Sequence, residues 1–175
     1  VVREDPGRRG LLYAGTETCV YVSLDDGASW QSLRSNLPVV PIHDLVVKDN
    51  DLVMATHGRS FWILDDLTTI HQNKAKDLKK DFHLFTPRTT YRTSGSSDKS
   101  SLMGQNPPTG AVIFYHIADE IEKDSEVKLE ILDDNDNIIR TITNKKGPSA
   151  KTFGESYQSA KIPAKKGINR FVWNF

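Results

Sequence analysis

The stretch "YVSLDDGASW", Tyr21 to Trp30, returns 40 positions later in a related form as "FWILDDLTTI", Phe61 to Ile70. The same offset pairs further residues, Leu12 with Leu52 and Thr16 with Thr56. Repeats of about 40 residues are typical of propeller blades and of helical HEAT-type arrays. The chain therefore carries two copies of one structural unit, and the residue pattern has to decide between these architectures.

The residue pattern within each copy favours strands. The apolar segments are short, rich in Val, Tyr, Phe and Trp, and separated by Gly, Asn and Asp; they are "LLYAGT", "CVYVSL", "DLVVKD", "DLVMAT" and "SFWIL". Four strands per copy, over about residues 1 to 35 and 42 to 90, make up two antiparallel propeller blades within residues 1–92. The predicted fold class is all-β.

Four residues of the quoted stretch fit the pattern S-x-D-x-G-x-x-W. Ser23 and Asp25 can accept hydrogen bonds from backbone N–H groups that a turn leaves open, and Gly27 can adopt a positive φ. Trp30 is expected to return the chain to the core as a buried apolar plug. We therefore expect the turn from Asp25 to Gly27 at the surface and Trp30 in the interior.

This pattern resembles the Asp-box, or BNR repeat, of sialidases and of sortilin-type propellers. The second copy keeps Asp65 but has Leu67 and Ile70 in place of the Gly and Trp. The stretch "ATHGRSFWILDD", Ala55 to Asp66, is similar to the last blade of large secreted bacterial BNR-repeat, glycosyl-hydrolase-like or sortilin-like proteins. The resemblance implies a structural Asp-box and an extracellular, periplasmic or cell-surface location.

The loop Thr56 to Ser60 is where we expect a ligand. By propeller geometry it opens on the same face as the loop Glu17 to Cys19 and the connection Pro41 to His43. His57 could carry a proton or donate a hydrogen bond, and Arg59 could clamp a carboxylate. A structural role for this loop, with a tight turn at Gly58 and an ion pair of Arg59, is the alternative.

No catalytic residue is assigned. Asp25 and Asp26 are adjacent, so on a strand end they point to opposite sides and do not form a glycosidase pair. A sialidase also needs three arginines, a tyrosine nucleophile and an acid, and the sequence does not assemble this set.

The region after the blades reads as a linker and a second domain. Residues 93–110 are rich in Ser, Gly and Pro, and residues 111–175 contain alternating strands and a hairpin at "ILDDNDNIIRTI". The latter region resembles the immunoglobulin-like module of flagellar hook-capping proteins through six residues: Asp133, Asn137 in place of the usual Gly, Arg140, Gly167, Trp173 and Asn174. That module normally continues beyond its Trp, so we expect an incomplete β-sandwich.

Bulk composition narrows the function classes. Lys+Arg and Asp+Glu number 23 each, which does not favour a nucleic-acid partner, and the single Cys19 fits neither an internal disulfide nor a zinc site. We expect no cofactor, no metal and no membrane span. A start at Val1 and an end within an apolar strand pattern indicate a piece of a longer protein.

These observations give two functional hypotheses. In the first, the chain is the C-terminal part of a secreted BNR-repeat, glycosyl-hydrolase-like propeller, non-catalytic by itself, that closes the propeller and adds an immunoglobulin-like domain. In the second, it belongs to a sortilin-like propeller that binds peptides or proteins. The expected partners are the remaining blades, a glycan or peptide ligand, and other copies of the chain through exposed blade faces.

Overall fold

The computed structural model describes residues 1–73, 80–91, 108–145 and 161–174. The chain divides into two compact units, Val1–Asn73 and Lys74–Phe175. Both units consist of antiparallel sheets, and the described residues contain a single helical turn, α1, at Thr68–His71. The all-β class predicted from the sequence is confirmed.

The first sheet of the Val1–Asn73 unit has four strands in sequential order: β1 Val2–Glu4, β2 Leu12–Gly15, β3 Val20–Ser23 and β4 Gln31–Ser32. Alternation in β2 and β3 gives it one apolar face, because Tyr13 lies opposite Val22 and both are buried. The four strands predicted for the first repeat are all present.

The second sheet has three strands: β5 Ile42–Lys48, β6 Asp51–Thr56 and β7 Phe61–Leu64. Strand β5 carries an irregularity between Ile42 and Asp44, so that His43 lies outside the regular pairing with β6. The sequence analysis placed a fourth strand in this repeat before residue 90. Instead the chain enters α1 after β7, and Leu67 packs fully buried in the core of the unit.

The two sheets of this unit share one core. It joins Leu11, Tyr13, Val20 and Val22 of the first sheet region to Leu45, Leu52 and Met54 of the second. Strand β5 lies against β1 and β2, and the Arg3 guanidinium bonds the Asp44 carboxylate at 2.6 Å and the Leu45 carbonyl at 3.2 Å. The two sheets therefore meet face to face, and β5 of the second sheet lies beside β1 and β2 of the first sheet.

The second unit contains the remaining strands. Strand β9, Ala111–Ile117, lies between β8, Phe82–Leu84, and β12, Gly167–Trp173, while β10, Lys128–Leu132, and β11, Ile138–Thr143, form the predicted hairpin. One apolar cluster holds both sheets; its buried members are Ile113, Tyr115, Ile117, Ile142, Ile162 and Phe171.

The domain boundary differs from the sequence-based one at residues 92 and 93. Phe82 and Leu84 pair with Ile117 and Tyr115 on β9, so residues that the sequence analysis gave to the second blade belong to the second unit. The physical reason is that edge strand β8 satisfies backbone groups of β9 that lie far along the chain. Most of the linker predicted at 93–110 lies outside the described residues.

The hairpin turn also differs in one residue from the expected pattern. Asp136, with φ of 62°, takes the left-handed conformation, whereas the sequence analysis gave the glycine-like position to Asn137. Asn137 instead donates its side-chain amide to Asp133 at 2.9 Å. A short acidic residue tolerates positive φ, and this frees the neighbouring amide to close the turn.

None of the helices among the described residues is long and apolar enough to span a bilayer.

Candidate functional site

Three loops meet at one end of the two sheets in the Val1–Asn73 unit. The Ile42 N–H donates to the Thr16 carbonyl at 2.8 Å, and the His57 N–H donates to the Pro41 carbonyl at 2.9 Å. The loops Thr16–Cys19 and Thr56–Ser60 and the segment around Pro41 are therefore tied to each other by backbone hydrogen bonds. Their juxtaposition, expected from the repeat, is present in the structure.

The imidazole rings of His43 and His57 stack on this end, with centroids 5.1 Å apart and an interplanar angle of 24°. His43 reaches this position because it sits at the irregularity in β5, which re-aims its side chain. Both rings are exposed. The sequence analysis placed His43 at the end of a connection on this face but did not name it as a candidate beside His57, since a bulge in a strand leaves no signal in the residue pattern.

Arg59 lies two residues beyond His57 in the same loop and is exposed. Within the part of the chain that the structure describes, its guanidinium makes no hydrogen bond or ion pair, so the structural ion pair that was the alternative is not formed there. Its carbonyl accepts a bond from the Trp62 indole at 3.1 Å. This contact fixes the backbone beneath a side chain with free donors. We call the three exposed side chains of His43, His57 and Arg59 the loop-end cluster.

A repeated threonine closes both loops. Thr16 donates its amide and hydroxyl to the Cys19 carbonyl, each at 2.9 Å. Thr56 does the same to the Ser60 carbonyl, at 3.2 Å and 2.6 Å. The second loop is thus one residue longer, and positive φ at Gly58 and Ser60 accommodates the extra residue. The insertion falls in the segment that carries His57 and Arg59.

The turn that follows β3 contains a carboxylate, that of Asp25, which accepts three hydrogen bonds. Asp25 accepts from the Ser23 hydroxyl and the Ser29 amide, both at 2.8 Å, and from the Ser29 hydroxyl at 2.5 Å. The Gly27 amide donates to the Ser23 hydroxyl at 2.8 Å, and Gly27 has φ of 89°. The turn predicted from the sequence is present, and the Asp25 carboxylate closes it through these hydrogen bonds.

These hydrogen bonds hold the pKa of Asp25 below its usual range, with the Ser29 hydroxyl as the largest cause and the Ser29 amide and Ser23 hydroxyl adding to it. A carboxylate whose acceptor sites are used in this way has little capacity left for a ligand or a proton-transfer role. Asp25 therefore has a structural role in this turn.

Trp30 is not the buried plug expected from the sequence; 40% of its surface is exposed. Its indole N–H donates to the Gly27 carbonyl at 3.1 Å. The position where a Gly27 Cβ would stand is within 4 Å of both Trp30 and Leu12. The ring therefore folds over the turn and leaves the core of the unit to Tyr13 and its neighbours.

The second turn keeps an aspartate but closes differently. Asp66, with φ of 62°, accepts bonds from the Asn50 side-chain amide at 2.9 Å and the Thr68 amide at 3.1 Å. Its own amide donates to the Asp51 carboxylate at 2.8 Å. With no glycine and no tryptophan to return the chain, this turn leads into α1.

A buried network that the sequence analysis missed joins α1 to the first sheet. The Asp5 carboxylate lies 2.6 Å from His71 Nε2 and accepts the Tyr13 hydroxyl at 3.2 Å, while its other oxygen accepts the amides of Gly7 and Arg8. Burial, and then the Asp5 charge, raise the pKa of Tyr13. Asp5 and His71 are 66 positions apart, so no local pattern could have connected them.

The second unit contains a half-open cleft of about 350 Å³ between β8, β9 and the start of β10. Its walls are mainly apolar, and Tyr115, whose hydroxyl donates to the Pro163 carbonyl, lies in them. Burial raises the pKa of Tyr115 to about 12. His116 also lines the cleft, and its Nδ1 is buried without a hydrogen-bond partner among the described residues.

Two further observations concern metals. In the described ranges no three His, Cys, Asp or Glu residues are grouped as a metal site would require. In the hairpin turn, the Asp133 carboxylate accepts the amides of Asn135 and Asn137 at 2.8 Å and the Asn137 side chain at 2.9 Å. These bonds, that of the Asn137 side chain first, lower the pKa of Asp133 and use the oxygens that a calcium ion would need.

No protein family model, no curated protein and no solved structure matches this chain.

Proposed function

We propose that the Val1–Asn73 unit forms two neighbouring Asp-box propeller blades and binds, without catalysis, a ligand that carries a carboxylate at the loop-end cluster. The observation that supports this most directly is the exposed, unengaged guanidinium of Arg59, two residues along the loop from His57, whose ring stacks on that of His43. A guanidinium fork matches a carboxylate in geometry and charge, and imidazoles add donors beside it.

The arrangement of the two sheets supports the blade assignment. In a propeller the innermost strand of each blade lies beside that of the next, and here β5 lies against β1 and β2. A threonine closes the equivalent loop in each sheet, Thr16 in the first and Thr56 in the second. The second sheet has three strands among the described residues, so its completion as a blade is part of the proposal.

A non-catalytic role fits three of the acidic groups of this unit, Asp5, Asp25 and Asp66. A glycosidase needs two carboxylates that flank one bond at roughly 5 to 9.5 Å. Asp25 accepts three hydrogen bonds from Ser23 and Ser29, and Asp66 is engaged by Asn50 and Thr68. Asp5 is buried with His71 and Tyr13. These three carboxylates therefore serve the fold and leave recognition to the loop-end cluster.

The larger protein in this proposal is a secreted BNR-repeat, glycosyl-hydrolase-like propeller to which this chain contributes blades and an accessory domain. The second unit, with a three-stranded sheet and a hairpin over a common apolar cluster, is assigned as an immunoglobulin-like sandwich. In a sortilin-like propeller the same cluster would take the carboxylate of a peptide. Acidic sugars and acidic or C-terminal peptide carboxylates share the recognised chemistry, so the test has to distinguish the two sources.

Binding is tested with the whole chain against an array of sialylated, uronic-acid and neutral glycans and against peptides with acidic side chains or free C-termini. Arg59→Ala should lower the affinity for the selected ligand at least about tenfold, because a charge-assisted bidentate contact contributes more than 1.4 kcal/mol. Arg59→Lys should restore only part of the affinity, since an ammonium cannot bind bidentately. Fluorogenic glycosides should show no hydrolysis above buffer.

The matched control is Lys48→Ala, which removes an exposed cation at the opposite end of β5, where Lys48 pairs with Asp49. Its affinity should equal that of the unmodified chain. The proposed recognition would be contradicted if Arg59→Ala bound the ligand as tightly as the unmodified chain. It would also be contradicted if the chain bound ligands that carry no carboxylate. Turnover abolished by the double substitution His57→Ala and Arg59→Ala would contradict the non-catalytic role.

A further inference from the structure

The second sheet has one apolar face that nothing in its unit covers. Val46, Val53 and Ile63 stand side by side across β5, β6 and β7, and Phe61 lies opposite Ala55 on the same face. Three of these side chains are largely exposed, Val46 at 53%, Phe61 at 73% and Ile63 at 56%. We call Val46, Val53, Phe61 and Ile63 the outer face of the second sheet. Exposed apolar patches of this kind mark interaction surfaces.

Strand register identifies the counterparts of these residues in the first sheet. Gly15 pairs with Val20 as Ala55 pairs with Phe61, at the ends of the two equivalent hairpins. In the same way the pair of Tyr13 with Val22 corresponds to that of Val53 with Ile63. Because the loop of the second copy is one residue longer, Phe61 is the structural equivalent of Val20, although sequence alignment pairs it with Tyr21.

These counterparts indicate which kind of surface the outer face of the second sheet can pack against. Val20 and Val22 are buried because they pack against the neighbouring second sheet in the core of the unit. Phe61 and Ile63 hold the same positions in the second sheet and remain exposed. The outer face thus repeats an interface that the chain already makes once.

The complementary surface is also present in the same chain. The inner face of the second sheet, which receives Val20 and Val22, includes Leu52, Met54 and Trp62. By register, their counterparts in the first sheet are Leu12, Ala14 and Tyr21, on the side away from the core. These three are partly exposed, and Val2, across from Ala14, is exposed. We call Val2, Leu12, Ala14 and Tyr21 the outer face of the first sheet.

We propose that a second copy of this chain docks head to tail, with the outer face of its second sheet on the outer face of the first sheet. This contact is heterologous, because the two faces are different, and it reproduces between copies the sheet packing found within one copy. Trp30 stands at the edge of this receiving face, since its ring and Leu12 both lie within 4 Å of where a Gly27 Cβ would stand. Docking depends only on strand register and burial, so a failed ligand test leaves it standing.

Sedimentation velocity of the whole chain tests the docking. The unmodified chain should show a mass above one copy that rises with concentration. Phe61→Lys with Ile63→Lys disables one face, and Val2→Lys with Tyr21→Lys disables the other; each variant alone should sediment as a monomer. A mixture of the two should form dimers and nothing larger, because only one intact pair of complementary faces remains.

The matched control, Val39→Lys with Ile168→Lys, places the same charges at two exposed apolar residues outside both faces and should associate like the unmodified chain. If a Lys variant loses its cooperative unfolding transition, Phe61→Thr with Ile63→Thr, which keeps strand-compatible residues, replaces it. A monomeric unmodified chain at near-millimolar concentration, a mixture without mixed dimers, or self-association of the Val2→Lys and Tyr21→Lys variant would each overturn head-to-tail docking.

Discussion

At the scale of single residues, the clearest feature is the turn that is held by hydrogen bonds to the Asp25 carboxylate. One side chain accepts hydrogen bonds from the Ser29 amide and from the hydroxyls of Ser23 and Ser29. The same solution recurs at Asp133 with asparagines as donors. Asp25 and Asp133 therefore have structural roles in their turns.

The first prediction concerns the pKa of Asp25. Because the Ser29 hydroxyl is the largest cause of its lowering, Ser29→Ala should move the pKa of Asp25 up toward the ordinary carboxyl range, near 3.9. Carbon-detected NMR titration of the Asp25 carboxyl measures this shift. Ser35→Ala, a serine that makes no bond to Asp25, is the control and should leave the titration unchanged.

The sign of the pH effect on stability follows from the lowered pKa. Since the folded-state pKa of Asp25 lies below its unfolded value, its contribution is present above the unfolded pKa and is lost as pH falls through the folded one. The stability difference between the unmodified chain and Asp25→Asn should therefore shrink on acidification below about pH 4. A difference that grows on acidification would contradict the role of the ionised carboxylate.

The second prediction is that Gly15→Ala destabilises the first unit. A Cβ at Gly15 would stand 2.6 Å from Ile42 Cγ2 and 2.9 Å from Val1 Cγ1, closer than packed atoms allow. The chain has to shift where the two sheets approach, at a cost of about 1 to 3 kcal/mol. Urea denaturation measures the change. Gly7→Ala, whose Cβ would meet only Asp5 Oδ1 at 3.4 Å, is the milder control, and an equal loss there would argue against the close-approach explanation.

At the scale of secondary-structure elements, α1 is too short to be stable by itself, and its attachment comes from Asp5 and Arg8. His71 contacts the Asp5 carboxylate, and the Arg8 guanidinium donates to the carbonyls of Ile70 and His71 at 2.7 Å and 3.2 Å. These contacts attach the segment that follows β7 to the segment that follows β1. This attachment replaces the fourth strand that the sequence predicted for the second repeat.

The third prediction is that His71→Ala lowers the free energy of unfolding by about 1.5 to 3 kcal/mol, because a buried carboxylate loses a hydrogen-bond partner. Chemical denaturation measures the loss, and His57→Ala, an exposed histidine, should change stability by no more than about 0.5 kcal/mol. In an Asp5→Asn background the His71→Ala loss should be smaller, since the two groups act on each other. Additive losses would contradict a direct interaction.

At the scale of the whole molecule, strand β8 decides where the second unit begins. It covers one side of β9, with additional bonds from the Ala118 amide to the Asp81 carbonyl and from the Phe85 amide to the Phe114 carbonyl. A boundary at residue 93 would separate these partners and expose an edge of the central strand.

The fourth prediction compares two fragments of the second unit. A fragment from residue 74 to 175 should unfold cooperatively, whereas one from 93 to 175 should have a lower melting temperature and bind a hydrophobic dye. The loss of β8 leaves backbone groups of β9 unpaired and exposes that edge of the sheet. Thermal unfolding followed by circular dichroism measures this. Indistinguishable transitions would instead support the boundary at residue 93.

The sequence by itself determined the all-β class, most strand positions, the hairpin at Asp133 and the turn at Asp25. Each of these is written within a few adjacent residues, as alternation, turn chemistry or a 40-residue repeat. The sequence also located His57 and Arg59 in a loop at one end of the sheets.

Only the tertiary structure decided which surfaces and partners those elements acquired. It left Trp30 exposed, gave Phe82–Leu84 to the second unit, joined Asp5 to His71 and brought His43 beside His57. It also revealed that one extra loop residue shifts Phe61 into the position of Val20. Local patterns set the direction of each side chain along its own strand, but burial and pairing depend on segments far away in sequence, and these meet only when the sheets pack.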